Sequence, residues 1–246
     1  MSELKNQISQ FIDTNAKIYQ DISLAIHAKP EVSDFEYFAS QTLSEQLKKE
    51  GFEIELPAAG HRTGFAATYK SNKTGPTVVF LAEYDALAGL DHGCGHNVFG
   101  ATSSLAGAAL KSIVDQIGGE VRAYGTPGEE GGQNGSAKGS FVKKGYLNDV
   151  DFALCTHPGS GSEDGLSTRN YACAPVDIEF WGKPAHAAGC PQDGINALDA
   201  IYEKYITELG NTVKHVEDVV MPGSSDVGNI SQVVPTIQPH ISITDV

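Results

Sequence analysis

The chain has 246 residues, 40% of them apolar and 20% charged, with a formal net charge of −14 from 31 acidic and 17 basic side chains. That length suits one large domain or two small ones, and the composition is that of a globular protein. The negative balance argues against nucleic acid and anionic membranes as partners, since both need a positive face, and no apolar run reaches the ~18 residues of a transmembrane helix.

The chain opens on "MSELKNQISQFIDTNAKIYQDI", where Leu4, Ile8, Ile12, Tyr19 and Ile22 fall at roughly helical spacing. This stretch lacks a basic-then-apolar leader pattern, so a cytoplasmic location is expected. "DFEYFASQTLSEQLKKEGFEIEL" predicts a helix ending near Gly51, then a strand, and "TGFAATYK" predicts a second strand. Residues 76–85, "PTVVFLAEYD", form an apolar, β-branched run of the kind buried in a sheet on both faces.

A loop over 86–100 leads to a small-residue helix over 101–117. Then come a strand at 120–125, a glycine-rich loop with a helix over 126–144, and a strand at 150–157. The order β-α-β-α-β implies right-handed crossovers and a mostly parallel sheet. Further on, 171–182 predicts a long strand and 193–209 a helix, while 221–246 ends in the middle of an apolar pattern.

The stretch "LDHGCGHNVFG" (90–100) sets His92, Cys94 and His96 at alternate positions among three glycines. They could be metal ligands, a redox site, or loop residues that happen to be neighbours. Topology favours the first. Cys94 and His96 follow the strand 76–85, Glu129 and Glu130 follow 120–125, and His157 ends 150–157. In an open α/β sheet, ligands bind beyond the carboxyl ends of the strands, so these distant residues converge there.

The donor types suit a divalent cation. Zinc accepts sulfur, nitrogen and oxygen, and manganese tolerates carboxylate and imidazole. With paired glutamates, one can bind metal while the other takes a proton from water whose pKa the metal lowers to about 7. Each element also has a bland reading: a turn with incidental polar residues, a solvated Glu-Glu pair, a strand-end histidine. The cysteines at 94, 155, 173 and 190 show no disulfide framework spacing, and no C-x-x-C supports a redox role for Cys94. Cys155, Cys173 and Cys190 are expected to be buried thiols, and His27, His61, His215 and His240 structural or exposed.

Six ordered stretches carry a family resemblance: "IHAKPEVSDFE" (26–36), "FLAEYDALAGLDHGCGHN" (80–97), "GTPGEEGGQNGSAKGSFVKKG" (125–145), "DFALCTHPG" (151–159), "FWGKPAHAAGCPQDGINALDAI" (180–201) and "GSSDVGNISQVVPTI" (223–237). The sequence resembles the aminoacylase and carboxypeptidase amidohydrolases, the M-twenty metallopeptidases. It is most similar to the branch of aminobenzoyl-glutamate and indole-acetyl-amino-acid hydrolases.

The resemblance implies an α/β, zinc-peptidase-like catalytic domain with helices on both sheet faces, interrupted by an α+β lid. It assigns 1–171 to the catalytic domain, 172–210 to the lid and 211–246 to the return into the catalytic domain. It implies two divalent ions, Zn or Mn, held by Cys94, His96, Glu130 and His157. Glu129 takes the role of general base and proton shuttle, and Asp85 that of the acid orienting a metal-binding imidazole, with His92 in support. His186 stabilises the oxyanion, often across a dimer, and Asp226 and Gly228 return near the substrate.

Three positions depart from the family pattern: Ala88 in place of a proline, Asp91 in place of a small residue and Gly93 in place of alanine. The lid expected of the family, a four-stranded sheet with two helices, needs roughly 60–80 residues. Here one strand and one helix lead almost directly into the return segment, so the sequence reads as shortened. It also stops before the segment that supplies the family's last metal-binding histidine, for which His240 is a poor substitute.

The resulting expectation is a metal-dependent amidohydrolase or peptidase acting on N-acyl amino acids, dipeptides or aminobenzoyl-glutamate-like substrates. A homodimer or higher homo-oligomer is expected if the shortened lid suffices. The alternative is a catalytically weak or inactive metal-binding or scaffold homologue.

Overall fold

In this computed structural model the described residues are 2–159, 181–186, 189–190, 193–195 and 208. The chain divides into two units, Met1–Pro175 and Val176–Val246. The segment around 172–210 and the return 211–246 lie almost wholly outside the described residues, as do Asp226, Gly228, Cys173, His215 and His240.

The first unit begins with helix α1 (Ser2–His27), longer than the predicted amphipathic stretch, with Tyr19, Ile22 and Ile26 buried along one face. Helix α2 (Tyr37–Lys49) buries Ala39, Leu43 and Leu47 at the same helical spacing. Its first turn is closed by Glu31, whose carboxylate accepts the backbone N–H groups of Phe38 and Ala39. Strands β1 (Glu53–Glu55) and β2 (Phe65–Lys70) follow, then β3 (Thr77–Ala82), helix α3 (His96–Ile117), β4 (Glu120–Gly125), helix α4 (Ala137–Lys143) and β5 (Phe152–Leu154).

The sheet runs β1-β2-β4-β3-β5 and is mixed. β4-β3-β5 is the parallel half that the β-α-β-α-β order requires, whereas β1-β2 and β2-β4 pair antiparallel. The link 71–76 between β2 and β3 explains the antiparallel half, because it is too short for a parallel crossover and the chain must reverse. Within the parallel half β3 lies in the middle, and the chain passes from it to β4 on one side and then across to β5 on the other. The loops after all three strands therefore open at one edge.

Alternation along the strands feeds two cores. Phe65, Ala67, Val121 and Ala123 pack with residues of α1, α2 and α3 on one face, including Ile26, Leu43, Leu47 and Ala108. Ala66, Val79 and Tyr124 pack with Phe141 of α4 on the other. Each fully buried Leu or Ile contributes about 1.5–3 kcal/mol of transfer free energy, so Leu47→Ala costs about 2–5 kcal/mol with its cavity.

The small residues of α3 let it lie close to the sheet. A Cβ on Gly100 would stand 2.7 Å from the Glu83 carbonyl oxygen and 3.4 Å from Tyr84 Cβ. This contact, one turn along from His96, seats the start of α3 against residues 83–85. In the second unit, Lys183 and Ile195 form an antiparallel bridge.

Candidate metal centre

The site is assembled where β3, β4 and β5 end. β3 stops at Ala82, so Glu83 and Asp85 already belong to the loop, while α3 starts at His96 and not at the expected residue 101. Its N-cap is Gly95, whose φ of 77° is left-handed. A Cβ there would also meet Pro158 Cγ at 2.7 Å. Glycine at this position therefore allows both the turn into α3 and the close approach of the β5 loop, which brings His157 to His96.

His96 is fully buried and is oriented from behind. Its Nδ1–H donates to Asp85 Oδ1 at 2.9 Å, with the Asp85 carbonyl at 3.1 Å. Asp85 Oδ2 in turn accepts Ser33 Oγ–H and the Glu130 backbone N–H, both at 3.0 Å. Burial works to raise the Asp85 carboxyl, but these hydrogen bonds outweigh it and hold the group below its ordinary value. Burial likewise works to lower His96, yet Asp85 and the carboxylates of Glu83 and Glu130 raise it.

With Nδ1 committed, the His96 Nε2 edge faces the cluster. Around it stand Glu83 Oε2 at 3.2 Å, Glu130 Oε1 at 3.8 Å and Glu129 Oε2 at 3.9 Å. His157 Nε2 lies 3.3 Å away, and His157 Nδ1 is occupied by the Pro158 carbonyl at 2.6 Å. Two imidazole lone pairs thus face one another across 3.3 Å, an arrangement that needs a proton or a cation between them.

Two overlapping donor groups result: Glu83, His96 and His157, and Cys94, His96 and Glu130, with ligand atoms within 4.8 Å of one another in each. Neighbouring Glu130, helped by burial, pushes the Cys94 thiol up to about 11, so a cation must displace its proton to bind sulfur. The buried Glu83 Oε2 has no hydrogen-bond partner. Sulfur, nitrogen and oxygen donors converging around a crowd of carboxylates fit a divalent ion.

The structure thus brings Asp85, Cys94, His96, Glu129, Glu130 and His157 together. His92 is buried, stacks on His27 at a ring distance of 6.0 Å and belongs to neither donor group. His186 belongs to the second unit, is exposed, and accepts the Gly189 backbone N–H on Nδ1 at 2.9 Å. Cys155 is an exposed free thiol and Cys190 is half-buried, which corrects the expectation that both are buried; β5 is short, the last strand of the sheet among the described residues, and leaves Cys155 beyond its end.

Several residues supporting the site went unassigned from sequence. Glu83 is buried, and its Oε1 pairs with Lys138 of α4 at 2.5 Å; burial raises its carboxyl despite that lysine. Glu36, fully buried, accepts Thr63 Oγ1–H at 2.7 Å and the Gly128 backbone N–H at 2.9 Å, which anchors the loop carrying Glu129. Asp34 accepts both the backbone and side-chain N–H groups of Asn134 in the same loop. One available signal was the spacing of Glu83 and Asp85, two apart beyond an apolar strand and so able to share a side of an extended chain.

An α/β sheet with thiol, imidazole and carboxylates gathered at its carboxyl edge is the build of a metal-dependent hydrolase domain. The model of peptidase family M20/M25/M40 matches residues 79–241. The chain belongs to this family. It is 35% identical over 220 residues to a p-aminobenzoyl-glutamate hydrolase polypeptide of Escherichia coli, a match covering 82% of this chain and 44% of that protein. It is 32% identical over 219 residues to the mouse Xaa-Arg dipeptidase, covering 82% of this chain and 48% of that protein. The chain thus spans about half the length of the curated relatives it matches. A crystal structure from methicillin resistant Staphylococcus aureus, described as an aminohydrolase, aligns with a TM-score of 0.53 at 27% identity, covering 60% of this chain and 41% of that one. Among the described residues no helix is long and apolar enough to cross a membrane.

Proposed function

We propose that this chain carries the catalytic part of a metal-dependent amidohydrolase or peptidase. The observation that carries the reading is the convergence of the His96 and His157 Nε2 atoms with Cys94, Glu83 and Glu130 at one edge of the sheet. Cys94, His96, Glu130 and His157 hold two divalent ions, zinc or manganese. A cation bound there polarises the substrate carbonyl and acidifies water.

The chain's own groups divide the remaining work. Asp85 fixes the His96 tautomer and aims Nε2 at the cluster. Glu129, whose side chain is 42% exposed and the most open of the acids beside His96, takes the proton from the attacking water and returns it to the leaving amine. The family resemblance assigns His186 the role of oxyanion stabiliser and Asp226 and Gly228 a part in substrate binding. The names of the relatives support aminobenzoyl-glutamate-like N-acyl amino acids and dipeptides as substrates.

The test is to load the purified chain with Zn²⁺ or Mn²⁺ and assay release of the free amino acid from N-acyl amino acids, dipeptides and aminobenzoyl-glutamate. Metal-dependent turnover that EDTA abolishes is the expected result. A folded chain that binds metal yet turns over none of these substrates sinks the enzyme reading and leaves the metal-binding scaffold.

A further inference from the structure

Glu83 is the group in the cluster that the ligand assignment leaves over. It lies directly after β3, is 5% exposed, and shares the loop with Asp85. Its two oxygens have different surroundings. Oε1 is held by Lys138 of α4, whereas Oε2 is buried without a hydrogen-bond partner and stands 3.2 Å from His96 Nε2. A carboxylate oxygen left bare in a buried setting costs about 1–3 kcal/mol, and more when charged, so a partner is expected there.

A neutral His96, its single N–H committed to Asp85, offers Oε2 no donor, and a cation between the two groups supplies what Oε2 lacks. Glu83 belongs to a donor group with His96 and His157, which shares only His96 with the group of Cys94 and Glu130. We infer that Glu83 is itself a metal ligand, supplying a carboxylate oxygen to the ion on the His96–His157 side, while Lys138 holds its other oxygen and fixes the orientation.

This rests on the metal-centre reading above and extends it. It makes the second ion depend on a residue whose motif position suggests only a strand end. A hard oxygen donor also suits manganese better than a sulfur donor does, so the two ions sit in chemically unlike places. The Lys138 pair alone explains only Oε1 and leaves the buried Oε2 without a partner.

The full-length chain is compared with Glu83→Gln and Lys138→Met. Bound Zn²⁺ and Mn²⁺ are counted by equilibrium dialysis with elemental analysis, and affinities come from calorimetry. The thiolate-to-cobalt absorption of the Co²⁺ form reports separately on Cys94 and on an intact fold.

Glu83→Gln is expected to weaken one ion by at least about 10-fold, the loss that even a ligand's supporting partner produces, while the Cys94 band persists. Lys138→Met is expected to keep both ions bound, with a smaller loss of affinity than Glu83→Gln. Equal binding by the parent and Glu83→Gln overturns the assignment and leaves the metal centre standing. Equal losses in both variants overturn it too, because they reduce Glu83 to a structural partner of Lys138. A parent chain that binds no ion overturns both readings.

Discussion

The two halves of the donor cluster are built to different standards of rigidity. His96, Asp85 and Glu83 are buried between the end of β3 and the start of α3, supported by Ser33 of the 31–36 segment, by Lys138 of α4 and by the Glu130 backbone N–H. Glu129, Glu130 and His157 stand on loops after β4 and β5, more open to solvent. The two halves divide the labour. The imidazole whose direction matters is locked by packing, and the acid that must exchange protons with water and substrate is left reachable.

The largest effect is expected from removing the proton carrier alone. Glu129→Gln should lower kcat by roughly 10²–10⁴-fold on whichever N-acyl amino acid or dipeptide the chain hydrolyses. Metal content measured by elemental analysis should stay unchanged. Lost metal would place Glu129 among the ligands.

Glu36 links the two halves, since it accepts the Gly128 N–H from the loop and the Thr63 hydroxyl from beside β2. Burial raises its carboxyl from 4.5 to about 7. The folded chain therefore keeps this proton where the unfolded chain releases it. The resulting stability is complete below pH 4.5 and is lost as pH rises through about 7. This linkage is worth about 3 kcal/mol. Glu36→Gln keeps the shape, and the Thr63 hydroxyl can turn to accept from the amide. Chemical denaturation at several pH values should show a flatter stability profile for the variant between pH 4.5 and 7. An unchanged slope would remove Glu36 as its source.

Asp85→Asn tests the locked half. The amide can still accept from Ser33 and Glu130, but the charge holding His96 Nδ1–H is gone. Metal affinity by calorimetry should fall by about 10–100-fold with the fold retained. The smallest effect belongs to Cys155. Its exposed thiol lies outside both donor groups, so Cys155→Ser should change stability by less than about 0.5 kcal/mol and leave the ion count intact. Cys94→Ser, by contrast, should abolish the thiolate-to-cobalt band.

The parallel core was legible because its signals are local. The apolar run at 76–85, the small-residue stretch after it and the β4 segment Glu120–Gly125 each declare their period within a few residues. Cys94, His96, Glu129, Glu130 and His157 were legible through one topological rule, that ligands gather beyond the carboxyl ends of parallel strands. The antiparallel half, the early start of α3 and the partners of Asp85 were harder to read. They depend on a short link forcing a reversal, on Gly95 turning the chain into a helix, and on Ser33 arriving from a remote segment.

The sequence by itself determined the donor chemistry: thiol, imidazoles and paired carboxylates, each after a strand, in a chain of the M20/M25/M40 family. Residue type and strand period are written locally, so no contact information was needed. Only the tertiary structure decided which of those groups are rigid and which are open, and it alone brought Glu83 and Lys138 together at the cluster's edge. A charged residue after a strand reads as solvated until the opposite element is in place. The cost of leaving its oxygen bare then exists only in the folded core, where water has been excluded.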